Sequence, residues 1–134
     1  IISWAILPAL LRKLFAPRSI PANFKNSFPV SLTLRPKQLR AAAEESAFLI
    51  PEAARLQSLY SDIRCPAHIF HGTGDQLIEP EQARRLHQVV GRSDLHLVND
   101  AGHMATYADG GAISHTIDSL EEPLRIISSR GRKS

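Results

Sequence analysis

The sequence predicts an α/β fold of parallel strands joined by crossover helices and preceded by a helical segment. Three features carry that expectation. Two short, β-rich apolar runs, residues 67–71 (AHIFH) and 95–98 (LHLV), flank one helix-periodic stretch, the pattern of a β-α-β unit. The loop after each run carries a side chain fit for chemistry, Asp75 after the first and His103 after the second. Upstream, residues 36–60 form a long helical run divided by Pro51. In open α/β sheets ligands bind at the edge where the strands end, so both loops fall where a site is expected.

Each element has its own warrant. Residues 1–15 (IISWAILPALLRKLF) place Trp4, Leu7, Leu11 and Leu14 on one helical face, with Pro8 expected to kink or restart the helix. The run is shorter than the roughly 20 residues a bilayer span needs, and its charges follow the apolar part instead of preceding it, unlike a signal peptide. A helix packed over a core is the plain reading. A lid that also touches a membrane surface through Trp4 and the flanking cations is the sharper one. Residues 16–36 hold Pro17, Pro21, Pro29 and Pro36 with Phe24 and Phe28, an irregular segment whose aromatics call for burial. In the helical run, Leu39, Ala42, Ala43, Ala47, Leu49 and Ile50 line one side, and Pro51 is expected to break it before a second segment through Ala53, Leu56 and Leu59.

Between the strands, Gly72 and Gly74 are expected to supply positive φ for a sharp turn into Asp75. Glu79-Pro80-Glu81 opens a helix, since proline suits the first helical position and acids suit the positive end of the dipole. Ala83, Leu86, Val89 and Val90 form its apolar face, and Gly91 ends it. After Met104 a glycine-containing loop leads to a helix over residues 112–127, interrupted by Pro123, and residues 128–134 form a basic tail expected to be disordered. The organisation expected is a cap or lid over 1–60, an α/β core over 61–127, and the tail.

Charge is unevenly spread. Residues 1–43 carry +7 with no acid, residues 44–124 carry −8, and the last ten residues carry +4. The cations are not interleaved with aromatics and belong to no recognisable module, which speaks against nucleic-acid binding. One cysteine, Cys65, excludes an internal disulfide scaffold, and its place before Pro66 at the start of a strand suits packing better than nucleophilic attack. No metal is expected. His68 and His71 are three apart on a strand and point to opposite faces, while His87, His96 and His115 lack partners at ligand spacing. No cofactor is implied.

The stretches HGTGDQLIEPEQA (71–83) and DAGHM (100–104) resemble the C-terminal part of the α/β-hydrolase family: a strand-end Gly-x-x-Asp acid followed by proline and a helix, then a Gly-His loop. Asp75 precedes His103 by 28 positions, which one crossover helix and one strand fill. The family's order is nucleophile, acid, histidine. The chain contains no G-x-S-x-G, and it begins Ile1-Ile2, so the expectation is a C-terminal piece of a longer enzyme. The resemblance implies that His103 is the general base and Asp75 the acid that orients it. Asp100 is a rival acid that better suits shaping the loop. His71 either lines the site or caps the Asp75 loop. Leu77, Met104 and Trp4 are the candidate substrate contacts, and the helices of 1–60 would be the cap over the pocket.

The function expected from the resemblance is hydrolysis of an ester or related acyl bond in a small apolar substrate, in the cytoplasm or at a membrane surface. Dehalogenases, epoxide hydrolases and lactonases share the fold, and the missing nucleophile would separate them: serine implies acyl chemistry, aspartate dehalogenase or epoxide chemistry. The alternative is a non-catalytic truncated chain or interaction module that retains a hydrolase half-site.

Overall fold

A computed structural model describes the backbone of residues 2–130 and the side chains of residues 5–120. Four helices lead: α1 (Ile2–Phe15), α2 (Ala22–Ser27), α3 (Val30–Thr33) and α4 (Pro36–Leu56), followed by a 3-10 turn, Gln57–Asp62. The β-α-β unit comes next as β1 (Ala67–Gly72), α5 (Pro80–Val89) and β2 (Ser93–Val98). Short α6 (Ala105–Ala108) and long α7 (Gly110–Arg130) close the chain.

β1 and β2 pair in parallel, with Ala67 opposite Ser93 and Gly72 opposite Val98. This register puts the loops carrying Asp75 and His103 at the same end of the sheet. A parallel pair requires a crossover, and α5 provides it. The α5–β2 turn is closed by Ser93, whose Oγ lies 2.7 Å from the Val90 carbonyl oxygen and 2.9 Å from His87 Nδ1. Ala83 and Val90 are buried beneath α5, as its apolar face requires.

The second centre of packing is aromatic. Phe15 and Phe24 are buried, and their rings meet edge to face at 4.9 Å. Tyr107 on α6 packs on both, at 5.6 and 5.4 Å, and Phe28 stacks on Phe24 at 4.8 Å. Burying a phenylalanine is worth roughly 1.5–3 kcal/mol, and each such ring pair about 0.5–1.5 kcal/mol more. The aromatics of the proline-rich segment therefore bind residues 15–28 to the helix that follows the His103 loop.

Several expectations are corrected here. α1 continues through Pro8 without restarting, α4 continues undivided through Pro51, and α7 runs through Pro123 to Arg130, carrying helix into residues 128–130. Residues 131–134 lie outside the described residues. A proline removes one N–H donor from a helix. At Pro51 the carbonyl that loses its partner belongs to Ala47, which is exposed and open to water. The apolar side of α4 does not face a core: Phe48, Leu49 and Ile50 are 70%, 68% and 76% exposed. Its main contacts are with α3 and the 3-10 turn, and Leu39 is 39% exposed. Among the described residues no helix is long and apolar enough to cross a membrane.

Candidate active site

The Asp75 loop is built by close approach, not by glycine turns. Neither Gly72 nor Gly74 has a positive φ, contrary to the expectation. A methyl on Gly72 would overlap the carbonyl oxygens of Ala101 and Gly102, and one on Gly74 would overlap the Pro17 ring. The glycines thus let the two loops lie against each other and against Pro17. Two backbone bonds fasten the contact, Gly74 N–H to Ala101 O at 2.9 Å and Thr73 N–H to Val98 O at 3.0 Å. The positive φ falls on Asp100 instead, at 53°. Aspartate tolerates that region better than most residues, and its N–H donates to Thr73 Oγ1 at 3.1 Å. Asp100 shapes the loop, as the sequence suggested.

Within this frame Asp75 and His103 meet: His103 Nδ1 lies 2.9 Å from Asp75 Oδ2. The other carboxylate oxygen, Oδ1, accepts the N–H groups of Leu77 at 2.8 Å and Ile78 at 3.1 Å. The division of labour fixes the carboxylate plane: one oxygen closes the turn, the other faces the ring. The Asp75 side chain is 2% exposed, whereas that of His103 is 39% exposed. A carboxylate accepts, so the ring proton belongs on Nδ1 and Nε2 carries the lone pair. Among the described residues, no other side chain hydrogen-bonds this ring.

His71 settles on the capping role. Its Nε2–H donates to the Ile78 carbonyl at 3.0 Å, with Asp75 Oδ2 at 3.6 Å, so it backs the acid while closing the far end of the same loop. Leu77 sits on the loop 37% exposed, and Met104 follows His103 with its N–H on Leu14 O at 3.2 Å. The Trp4 side chain lies outside the described residues.

Sequence reasoning missed two features. Arg18 donates to the carbonyls of Asn99, Asp100 and Ala108, more than 80 residues away, and no local pattern signals that. His96 does have a partner: its Nε2 stands 3.1 Å from His68 Nδ1, and its ring stacks on Phe70 at 4.4 Å. His68 and His96 are diagonal neighbours in the parallel register, information a single strand does not contain. Among the described residues no group of three or more His, Cys, Asp or Glu is placed to hold a metal ion.

Burial pushes the Asp75 carboxyl up, but the Leu77 and Ile78 amides and the His103 ring together outweigh it and hold the group below its ordinary value of 3.8. A depressed folded-state pKa contributes stability that is fully present above the unfolded value. That stability is lost as pH falls through the lower folded one. The Asp75 contribution to the stability gap between the native chain and Asp75→Asn should therefore shrink as pH falls below about 3.8. Urea denaturation of both proteins at pH 6 and pH 3 checks this; a gap that widens in acid would contradict it.

Compared with family models, with curated proteins and with solved structures, the chain finds no match in any of the three.

Proposed function

We propose that this chain supplies the acid and the base of an acyl-transfer triad of the α/β-hydrolase type, acting on an ester or related bond in a small apolar substrate. The observation that carries the reading is the 2.9 Å contact between a buried carboxylate and the Nδ1 of a partly exposed histidine. His103 Nε2 would take the proton of an attacking hydroxyl and deliver it to the leaving group, while Asp75 holds the tautomer and stabilises the imidazolium. The exposed Leu77 and Ile78 on the Asp75 loop suit an apolar group beside the reacting bond. No G-x-S-x-G occurs within the 134 residues, so the nucleophile and its oxyanion donors would come from polypeptide outside them.

A second reading has one observation in its favour. Asp75 Oδ1 closes a local turn through two backbone amides, so the pair could serve as a structural staple in a non-catalytic module. Ester hydrolysis tests the first reading. Residues 1–134 alone should not turn over p-nitrophenyl acetate above the buffer rate, because losing even one oxyanion donor typically costs ~10²–10³ in rate. Turnover by the isolated chain that disappears in His103→Ala would show that the site is complete without a further segment.

A further inference from the structure

We propose that residues 14–18 form a positioning strap for the site, with Arg18 as the residue that sets where the His103 ring stands against Asp75. The proposal rests on the pairing of Asp75 with His103 as a functional site and adds the element that holds it.

The strap touches both loops. On the acid side the Pro17 ring packs against Gly74, one residue before Asp75. On the histidine side Gly102 is seated on the backbone of residues 14–16, where any side chain would overlap the Ala16 carbonyl oxygen. Leu14 O accepts the Met104 N–H at 3.2 Å, so the residues on both sides of His103 rest on the strap. Arg18 then closes the arrangement from outside. Its Nη2 donates to Asn99 O at 2.8 Å, its Nε to Asp100 O at 2.9 Å, and its Nη1 to Ala108 O at 3.1 Å. The first two carbonyls lie just before the His103 loop turns; the third ends α6, just after it.

The choice of arginine is chemical. A guanidinium offers five N–H donors in a rigid plane and no acceptor, so it can hold three carbonyls in a fixed relation. A lysine ammonium is a compact donor on a flexible stem and cannot reproduce that fork. All three acceptors are neutral peptide oxygens, so what the contact fixes is geometry. Phe15, in the same segment, is held in turn by Phe24 and Tyr107, which gives the strap a rigid base. A shift of about 1 Å at a catalytic group can cost ~10²-fold in rate, so the position of this loop matters to the chemistry.

The test uses ¹⁵N-labelled chain and reads three signals: the His103 Nδ1–H resonance, amide exchange at Asp100 and Met104, and amide exchange at Ile69 within the sheet. In the native chain the His103 resonance should be present and should disappear in Asp75→Ala. In Arg18→Ala it should broaden or vanish, with exchange at Asp100 and Met104 at least about tenfold faster, while Ile69 is unchanged. Millimolar ethylguanidinium added to Arg18→Ala should restore the resonance. Arg18→Lys should weaken the resonance and speed exchange at the same two amides; it carries the test if the alanine variant does not fold.

A native resonance that survives unchanged in both Arg18 variants would overturn the strap while leaving the Asp75–His103 pair intact. Faster exchange spread equally to Ile69 would make Arg18 an ordinary fold residue and overturn it as well. A native chain without any Asp75-dependent resonance would remove the pair, and the strap with it.

Discussion

On the proposed triad reading, His103→Ala is expected to lower kcat/KM for ester hydrolysis by about 10⁴–10⁶-fold, measured in a polypeptide that joins this chain to a nucleophile. The size follows from the role. Without an imidazole beside the hydroxyl, proton removal and proton delivery to the leaving group both fall to water. The ring is partly exposed and makes its one side-chain hydrogen bond among the described residues to Asp75. Its loss removes one hydrogen bond to a buried carboxylate and should cost about 1–3 kcal/mol of folding free energy. Steady-state kinetics and urea denaturation of the same variant separate the two readings. A loss of turnover far larger than that stability change accounts for supports the triad. Unchanged turnover with a large loss of stability would favour the structural staple.

Asp75→Asn should lower kcat by about 10³–10⁴-fold, for a reason written in the hydrogen bonds. Oδ1 accepts the Leu77 and Ile78 amides, so asparagine must keep its carbonyl oxygen there and turn its NH₂ towards His103. An amide nitrogen donates, so Nδ1 must become the acceptor and the ring proton must move to Nε2. The atom needed as base is then occupied. Asp75→Ala differs: it frees the ring to take either tautomer but leaves two loop amides without their acceptor, at about 1–3 kcal/mol. Asparagine should thus be the worse substitution for turnover and alanine the worse for stability. The double change of Asp75→Asn with His103→Ala should be no slower than His103→Ala alone, because the pair acts as a unit. Additive losses would mean that the two residues work independently.

Much of this site could be read from the chain, because its determinants are local. Short β-rich apolar runs marked β1 and β2, helical spacing marked α5, and the loops after the strands offered Asp75 and His103 at the sheet end, with Asp100 and His71 as their neighbours. The pairing itself follows once a parallel register is assumed. What escaped is what depends on distant partners. Arg18 looks like any surface cation until the fold brings Asn99, Asp100 and Ala108 to it. The roles of Gly72 and Gly74 were assigned to turn geometry, whereas their use is to admit neighbouring backbone and the Pro17 ring. α4 shows why an apolar stripe is ambiguous: periodicity tells which side is apolar, not what covers it. Its Phe48, Leu49 and Ile50 stand in solvent, so the roof expected over the strands is not formed by that helix. The segment that does reach the loops is the irregular one after α1, whose aromatics called for burial without telling what they would pack against.

The most direct measurement is the tautomer of His103, read from its ring ¹⁵N shifts at neutral pH in the chain as it stands. The pairing described here predicts Nδ1 protonated and Nε2 bare in the native protein, with the proton transferred to Nε2 in Asp75→Asn. An Nε2-protonated ring in the native chain, or one whose tautomer is indifferent to Asp75→Asn, would contradict it.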